Sequence, residues 1–156
     1  MAGIRIILFF YLLIFKRIIY QQILCMPAYE IEIILTRQLA DCLSMPVFIT
    51  DTIGNLIFYN EPAERILGTR FEDTGEMKVE TWGTIFKQKD EEGKLLPPET
   101  LPLVRTLRDR YPYHKTFWIE SLQGKSEKIS VTSYPIIGRA GKFVGAVAIF
   151  WEAKDL

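Results

Sequence analysis

Residues 46–68 read PVFITDTIGNLIFYNEPAERILG, and this stretch decides the fold. Val47, Phe48 and Ile49 form a β-rich apolar run, Asp51 to Asn55 carry turn chemistry around Gly54, and Leu56 to Tyr59 resume the β-rich character. The pattern predicts a hairpin. Asn60 follows, where its side-chain oxygen can accept a free first-turn N–H, and Pro62 falls early in the next helix, where a missing donor costs nothing. Gly68 is placed to end that helix.

On the N-terminal side, residues 29–44 (YEIEIILTRQLADCLS) space Ile31, Ile34, Leu35, Leu39, Cys42 and Leu43 as one apolar helical stripe. Glu30, Glu32, Arg37, Gln38 and Asp41 fall largely elsewhere on the wheel, so an amphipathic helix of about four turns is expected. Two partners suit its stripe. The helix can cap its own sheet, or two copies can pair through a short heptad-like seam of Ile31, Leu35, Gln38 and Cys42.

Further upstream, Ile6 to Phe15 is an unbroken apolar run that as a helix spans only ~15 Å, about half a bilayer core. Extending it to Leu24 puts Lys16 and Arg17 mid-span, each costing roughly 2.5–3.5 kcal/mol at a helix centre. A signal peptide is disfavoured because KRIIYQQIL follows the run instead of a small-residue cleavage site. Residues 1–25 therefore read as an interfacial anchor, a poor transmembrane segment, or upstream sequence translated from a start placed too early. The change of composition at Met26 favours the last.

The 156 residues fit one domain with an extension and suffice to bury a core without staples. Lys and Arg number 19, as do Asp and Glu, so there is no broad electrostatic footprint for nucleic acid. Cys25 and Cys42 neither flank a compact loop nor form a CxxC pair, which removes support for a disulfide scaffold or a zinc site. Reduced thiols and a cytoplasmic location are the default expectation, with the cytoplasmic face of the membrane the alternative if residues 1–25 are an anchor.

Downstream of the hairpin, residues 81–110 carry helical signals: an apolar turn of Trp82, Ile85 and Phe86, then a stripe of Leu103, Val104 and Leu107 opposite Arg105, Arg108 and Asp109. Gln88 to Lys94 reads as an exposed charged loop turning at Gly93. Three β-rich runs follow at residues 113–120, 127–137 and 143–151, joined by turns at Gln123-Gly124 and Gly138 to Gly141. Strands at both ends of the domain must close one sheet around the helical insert.

The order Asp51, Gly54, a β-rich run ending Tyr59-Asn60, then Pro62-Ala63-Glu64 and Leu67-Gly68 resembles the opening of a PAS domain, and the closing GKFVGAVAIFWE resembles its end. The resemblance covers residues 39–152, and the domain is expected at 45–152. It implies an α+β PAS fold: a five-stranded antiparallel sheet, helices between strands two and three covering one face, an N-terminal amphipathic helix, and often a cavity between helices and sheet. In haem-binding members of the family the axial His lies on or near the helix before the third strand, which makes His114 the one candidate iron ligand. A light-sensing flavin needs a reactive Cys in the helical insert, whereas residues 69–110 have none.

Trp82, Phe86, Phe117, Trp118 and Tyr134 are the candidate pocket residues, and Phe150 and Trp151 join the same aromatic set. Such residues more often fill a core than leave room for a guest. Alternation sets Phe117 and Ile119 against Trp118 and Glu120, and Val147 and Ile149 against Ala146, Ala148 and Phe150. Both faces of the last strand are therefore apolar, and its outer face is expected to lie under residues 29–44 or a second chain. Ile31, Leu35, Leu39, Cys42, Ala146, Ala148 and Phe150 are the expected interface residues.

No Gly-x-Gly-x-x-Gly, P-loop, HExxH or Gly-x-Ser-x-Gly motif occurs, so no enzyme is expected. The chain ends about four residues past the last strand, without room for a kinase, cyclase or helix-turn-helix output domain. The expectation is a non-enzymatic sensory or regulatory module that forms a homodimer or docks onto a separate signalling protein. The alternative is a receptor whose pocket occupancy by a small ligand or cofactor is the signal.

Overall fold

The computed structural model describes residues 30–153. The readings of residues 1–25 and of Met1 against Met26 as the start lie outside them. Among the described residues, no helix is long and apolar enough to cross a membrane.

The central stretch folds as its residues dictate. Strands β1 (Val47–Thr50) and β2 (Leu56–Tyr59) pair antiparallel with Phe48 opposite Tyr59 and Ile49 opposite Phe58. Between them the Asp51 carboxylate accepts the N–H groups of Ile53 at 3.0 Å and Asn55 at 2.8 Å, and Gly54 takes φ +93°, a conformation that side chains disfavour. Helix α2 (Glu61–Leu67) starts at Asn60, whose Oδ1 accepts the Ala63 N–H at 3.3 Å, and stops at Gly68 in the left-handed conformation.

Short helices α3 (Phe71–Thr74) and α4 (Val79–Ile85) lead to a 3₁₀ turn (Pro98–Thr100) and helix α5 (Pro102–Asp109). Pro98 and Pro102 each begin their element, where a missing N–H is harmless. Strands β3 (Tyr113–Glu120), β4 (Ser126–Ile137) and β5 (Phe143–Glu152) form the expected meander. Sheet order is β2-β1-β5-β4-β3, all neighbours antiparallel, so the last strand sits in the middle with β1 on one side and β4 on the other. This central place is why β5 is apolar on both faces.

One face of the sheet packs with α2, α4 and α5 in a core that includes Phe48, Leu67, Trp82, Phe86, Leu103 and Phe150. The other packs Val47, Ile49, Phe58, Ile136 and Val147 against the N-terminal helix α1 (Ile31–Cys42). Parity along β5 follows the expected alternation, but the assignment of faces is corrected. Ala146, Ala148 and Phe150 lie in the inner core beneath the helices, 0, 2 and 3 % exposed, and are not available to a partner.

Helix α1 does cover the sheet, but not with its stripe. Ile33 and Ala40 are its buried residues, whereas Ile31, Leu35 and Leu39 are 58, 56 and 57 % exposed and Cys42 is exposed too. Its ends set the rotation. Asn60 Nδ2 donates to the Ala40 carbonyl at 2.8 Å, and the Glu32 carboxylate accepts the Arg139 N–H at 3.2 Å. Ala40 brings the helix close to the sheet, and the Arg37 guanidinium lies 4.5 Å over the Phe58 ring.

The loop after α4 supplies a further correction. Gln88, expected in an exposed loop, is 6 % exposed, because the chain around it is drawn inward by backbone bridges from Lys89 to Leu95 and to Trp118. The turn at Gly93 lies where expected, with Asp90 Oδ1 accepting the N–H groups of Glu92 and Lys94.

Candidate functional site

The inner face of the sheet, α4 and the entry to α5 enclose a cavity of about 40 Å³. Phe48, Phe117, Val131 and Phe150 form its sheet wall, Trp82 and Phe86 its α4 side. Rigid neighbours hold these rings: Phe48 meets Phe150 edge-on at 5.1 Å, and Trp82 Nε1 donates to the Gly54 carbonyl at 2.9 Å. One water needs roughly 10–15 Å³ of such space, and pockets that take drug-sized ligands measure roughly 300–1,000 Å³. A void of about 40 Å³ thus admits neither haem nor flavin in this conformation.

Of the expected pocket residues, Trp82, Phe86 and Phe117 line this cavity, and Trp118 and Tyr134 do not. Strand alternation turns those two to the outer face, where Trp118 Nε1 donates to Glu91 at 3.3 Å and Tyr134 is 38 % exposed. Partial burial still pushes the Tyr134 hydroxyl above its ordinary pKa. His114 is on that face as well: exposed, bonded through Nδ1 to Thr132 Oγ1 at 2.9 Å, and stacked 5.8 Å from the Trp151 ring. The sheet separates it from the cavity, so His114 as an axial ligand to an interior haem is corrected. No group of His, Cys, Asp or Glu among the described residues has the arrangement to hold a metal ion.

Two roles near the site escaped the sequence reading, that of Gln88 wholly and that of Asn60 in part. Gln88 is the single polar side chain among the residues lining the cavity, apart from the Trp82 indole. Nothing local signals this, since its neighbours Lys87, Lys89 and Asp90 are the marks of a surface loop. Asn60 is foreseeable as a cap but not as the tie between helix α1 and the hairpin. At the edge of β3 covered by the 86–89 segment, Glu120 takes Lys87 at 2.6 Å and Lys89 at 2.7 Å, and these hydrogen-bonded ammonium groups hold its carboxyl down to about 2.

The second site is the outward side of α1, where Ile31, Leu35, Leu39 and Cys42 follow one another at helical spacing in solvent. Exposed Arg37, Gln38 and Asp41 flank them.

Residues 35–105 match the family model described as PAS domain. The PAS domain of a protein from Colwellia psychrerythraea aligns with a TM-score of 0.55 at 18 % identity, covering 77 % of this chain and 97 % of that one. The Rhodobacter sphaeroides LOV protein aligns with a TM-score of 0.63 at 12 % identity, covering 80 % of this chain and 69 % of that one. For the PAS domain of an HTR-like protein from Haloarcula marismortui the values are 0.54, 13 %, 76 % and 88 %. At such identities the likeness is one of fold. No curated protein matches. Family model and fold agree: residues 35–105 match the PAS-domain model, and the five-stranded sheet with its helices has the PAS fold.

Proposed function

We propose that the protein is a non-enzymatic regulatory PAS module that signals by association, and that the outward side of α1 is the surface through which it pairs with a second copy. The observation that carries this reading is the exposure of Ile31, Leu35 and Leu39 at 58, 56 and 57 % on a helix whose opposite side already serves the sheet. An apolar row flanked by polar residues marks a protein-binding surface, and the Ile31, Leu35, Gln38 and Cys42 spacing suits a second, parallel helix. The reading sets the protein in the cytoplasm, where its thiols stay reduced.

The test is native mass spectrometry of the full chain and of Leu35→Glu. Leu35 makes no contribution to either buried cluster, so the variant is expected to fold as a monomer while the wild type is a dimer. A variant that remains dimeric overturns the assignment of the surface. A monomeric wild type refutes self-association and turns the same stripe toward a heteromeric signalling partner.

A second reading, in which occupancy of the interior by a small molecule is the signal, is supported by the cavity beside Gln88.

A further inference from the structure

Gln88 borders two spaces. Inside is the apolar cavity of about 40 Å³; outside is a surface groove of about 280 Å³ bounded by Gly83, Thr84, Lys87, Leu95, Pro97 and Pro98. The residue is 94 % buried by its 6 % exposure, yet its side-chain amide donates to the Trp82 carbonyl at 3.5 Å, the outer limit of a hydrogen bond. Buried amides are ordinarily well bonded, because desolvation without a good partner is costly. The backbone at this point is firmly held, since the Gln88 carbonyl accepts the Leu96 N–H at 2.8 Å and the Lys89 N–H donates to Trp118 at 2.8 Å. A rotation of the side chain between staggered rotamers therefore needs no movement of the chain.

The geometry points to Gln88 as a gate that, on turning outward, joins groove and cavity into one pocket for a small uncharged molecule with an apolar body. The chemistry of the walls sets that class. No charged side chain lines the cavity, so an ionic ligand would lose its hydration there without compensation. Lys87, the single charged residue of the groove, is paired with Glu120 at 2.6 Å. With the gate closed the void has room for about three water-sized centres, so the Gln88 side chain must leave before a benzene-sized body can enter. The amide is then free to bond a polar substituent at the mouth.

This inference rests on the receptor reading, and the experiment separates the two. Full-length protein with ¹³C-labelled Ile, Leu and Val methyl groups is titrated with benzene and followed by NMR, as wild type, Gln88→Ala and Gln88→Ser. Perturbation is expected at Ile119, Ile129 and Val131 on the cavity wall. Removing the gate is expected to tighten apparent binding about tenfold, as for a wild-type open form populated about one-tenth of the time. Gln88→Ser removes nearly the same bulk and keeps a polar group, so it carries the test if the Ala variant does not fold. Perturbation of those methyls with equal affinity and exchange in all proteins overturns the gate alone. Silence at those methyls in every protein overturns the gate and the receptor reading together.

Discussion

Removing the Asn60 side chain should detach α1 from the hairpin as well as weaken the fold. The amide is 2 % exposed and makes four hydrogen bonds: Oδ1 accepts from Val47 N at 2.9 Å and Ala63 N at 3.3 Å, while Nδ2 donates to the Ala40 carbonyl at 2.8 Å and the Met45 carbonyl at 2.9 Å. It thereby joins the last turn of α1, the start of β1 and the first turn of α2. In Asn60→Ala the Val47 and Ala63 N–H groups lose their side-chain acceptor, the Ala40 carbonyl keeps only the Leu43 N–H at 3.2 Å, and the half-buried site at Met45 can recruit water. At about 1 kcal/mol for each lost bond, Asn60→Ala should cost about 3–4 kcal/mol, a large share of the roughly 5–15 kcal/mol of a typical domain.

Asn60→Asp separates the two halves of that loss. The carboxylate still accepts from Val47 and Ala63, but it faces the Ala40 and Met45 carbonyls with no proton to donate. Urea unfolding should give the Ala value as a shift in midpoint at constant slope. Hydrogen exchange on Asn60→Asp should then show α1 amides losing protection while α2 amides keep theirs. An Ala variant within about 1 kcal/mol of wild type, or an Asp variant in which both helices exchange alike, refutes the role given to Asn60.

Gly145→Ala should destabilise the centre of the sheet, because a Cβ there would stand 2.2 Å from the Thr50 carbonyl oxygen on the neighbouring strand. The expected loss is roughly 3 kcal/mol, read by urea unfolding, and an unchanged midpoint contradicts the close approach of β5 to β1. Glu120 predicts a pH dependence. Its carboxyl lies at about 2 in the folded protein against an ordinary 4.5, so its stabilisation is present above 4.5 and is lost as pH falls toward 2. Glu120→Gln should flatten the fall in urea midpoint over that interval, and matching slopes in wild type and variant would refute the Lys87–Glu120–Lys89 cluster as its source.

The order of strands and helices was legible because its signals are local. Gly54 and Gly68 occupy backbone conformations that favour glycine, Asn60 caps from one residue before its helix, and the period-two runs end within a residue or so of the observed strands. Periodicity also determines which side chains share a face, as it did for Ala146, Ala148 and Phe150 together against Val147 and Ile149. It cannot say which face the helices take. That is decided when β5 enters between β1 and β4, across nearly a hundred residues of intervening chain, and it sends His114 and Trp118 outward and Phe150 inward. The rotation of α1 is likewise beyond its own sequence. An amphipathic wheel favours burying Ile31, Leu35 and Leu39, but hydrogen bonds from Asn60 and to Glu32 pin both ends and turn Ile33 and Ala40 to the sheet. Tertiary packing alone fixes the volume left between rings, and only there does the buried amide of Gln88 become visible.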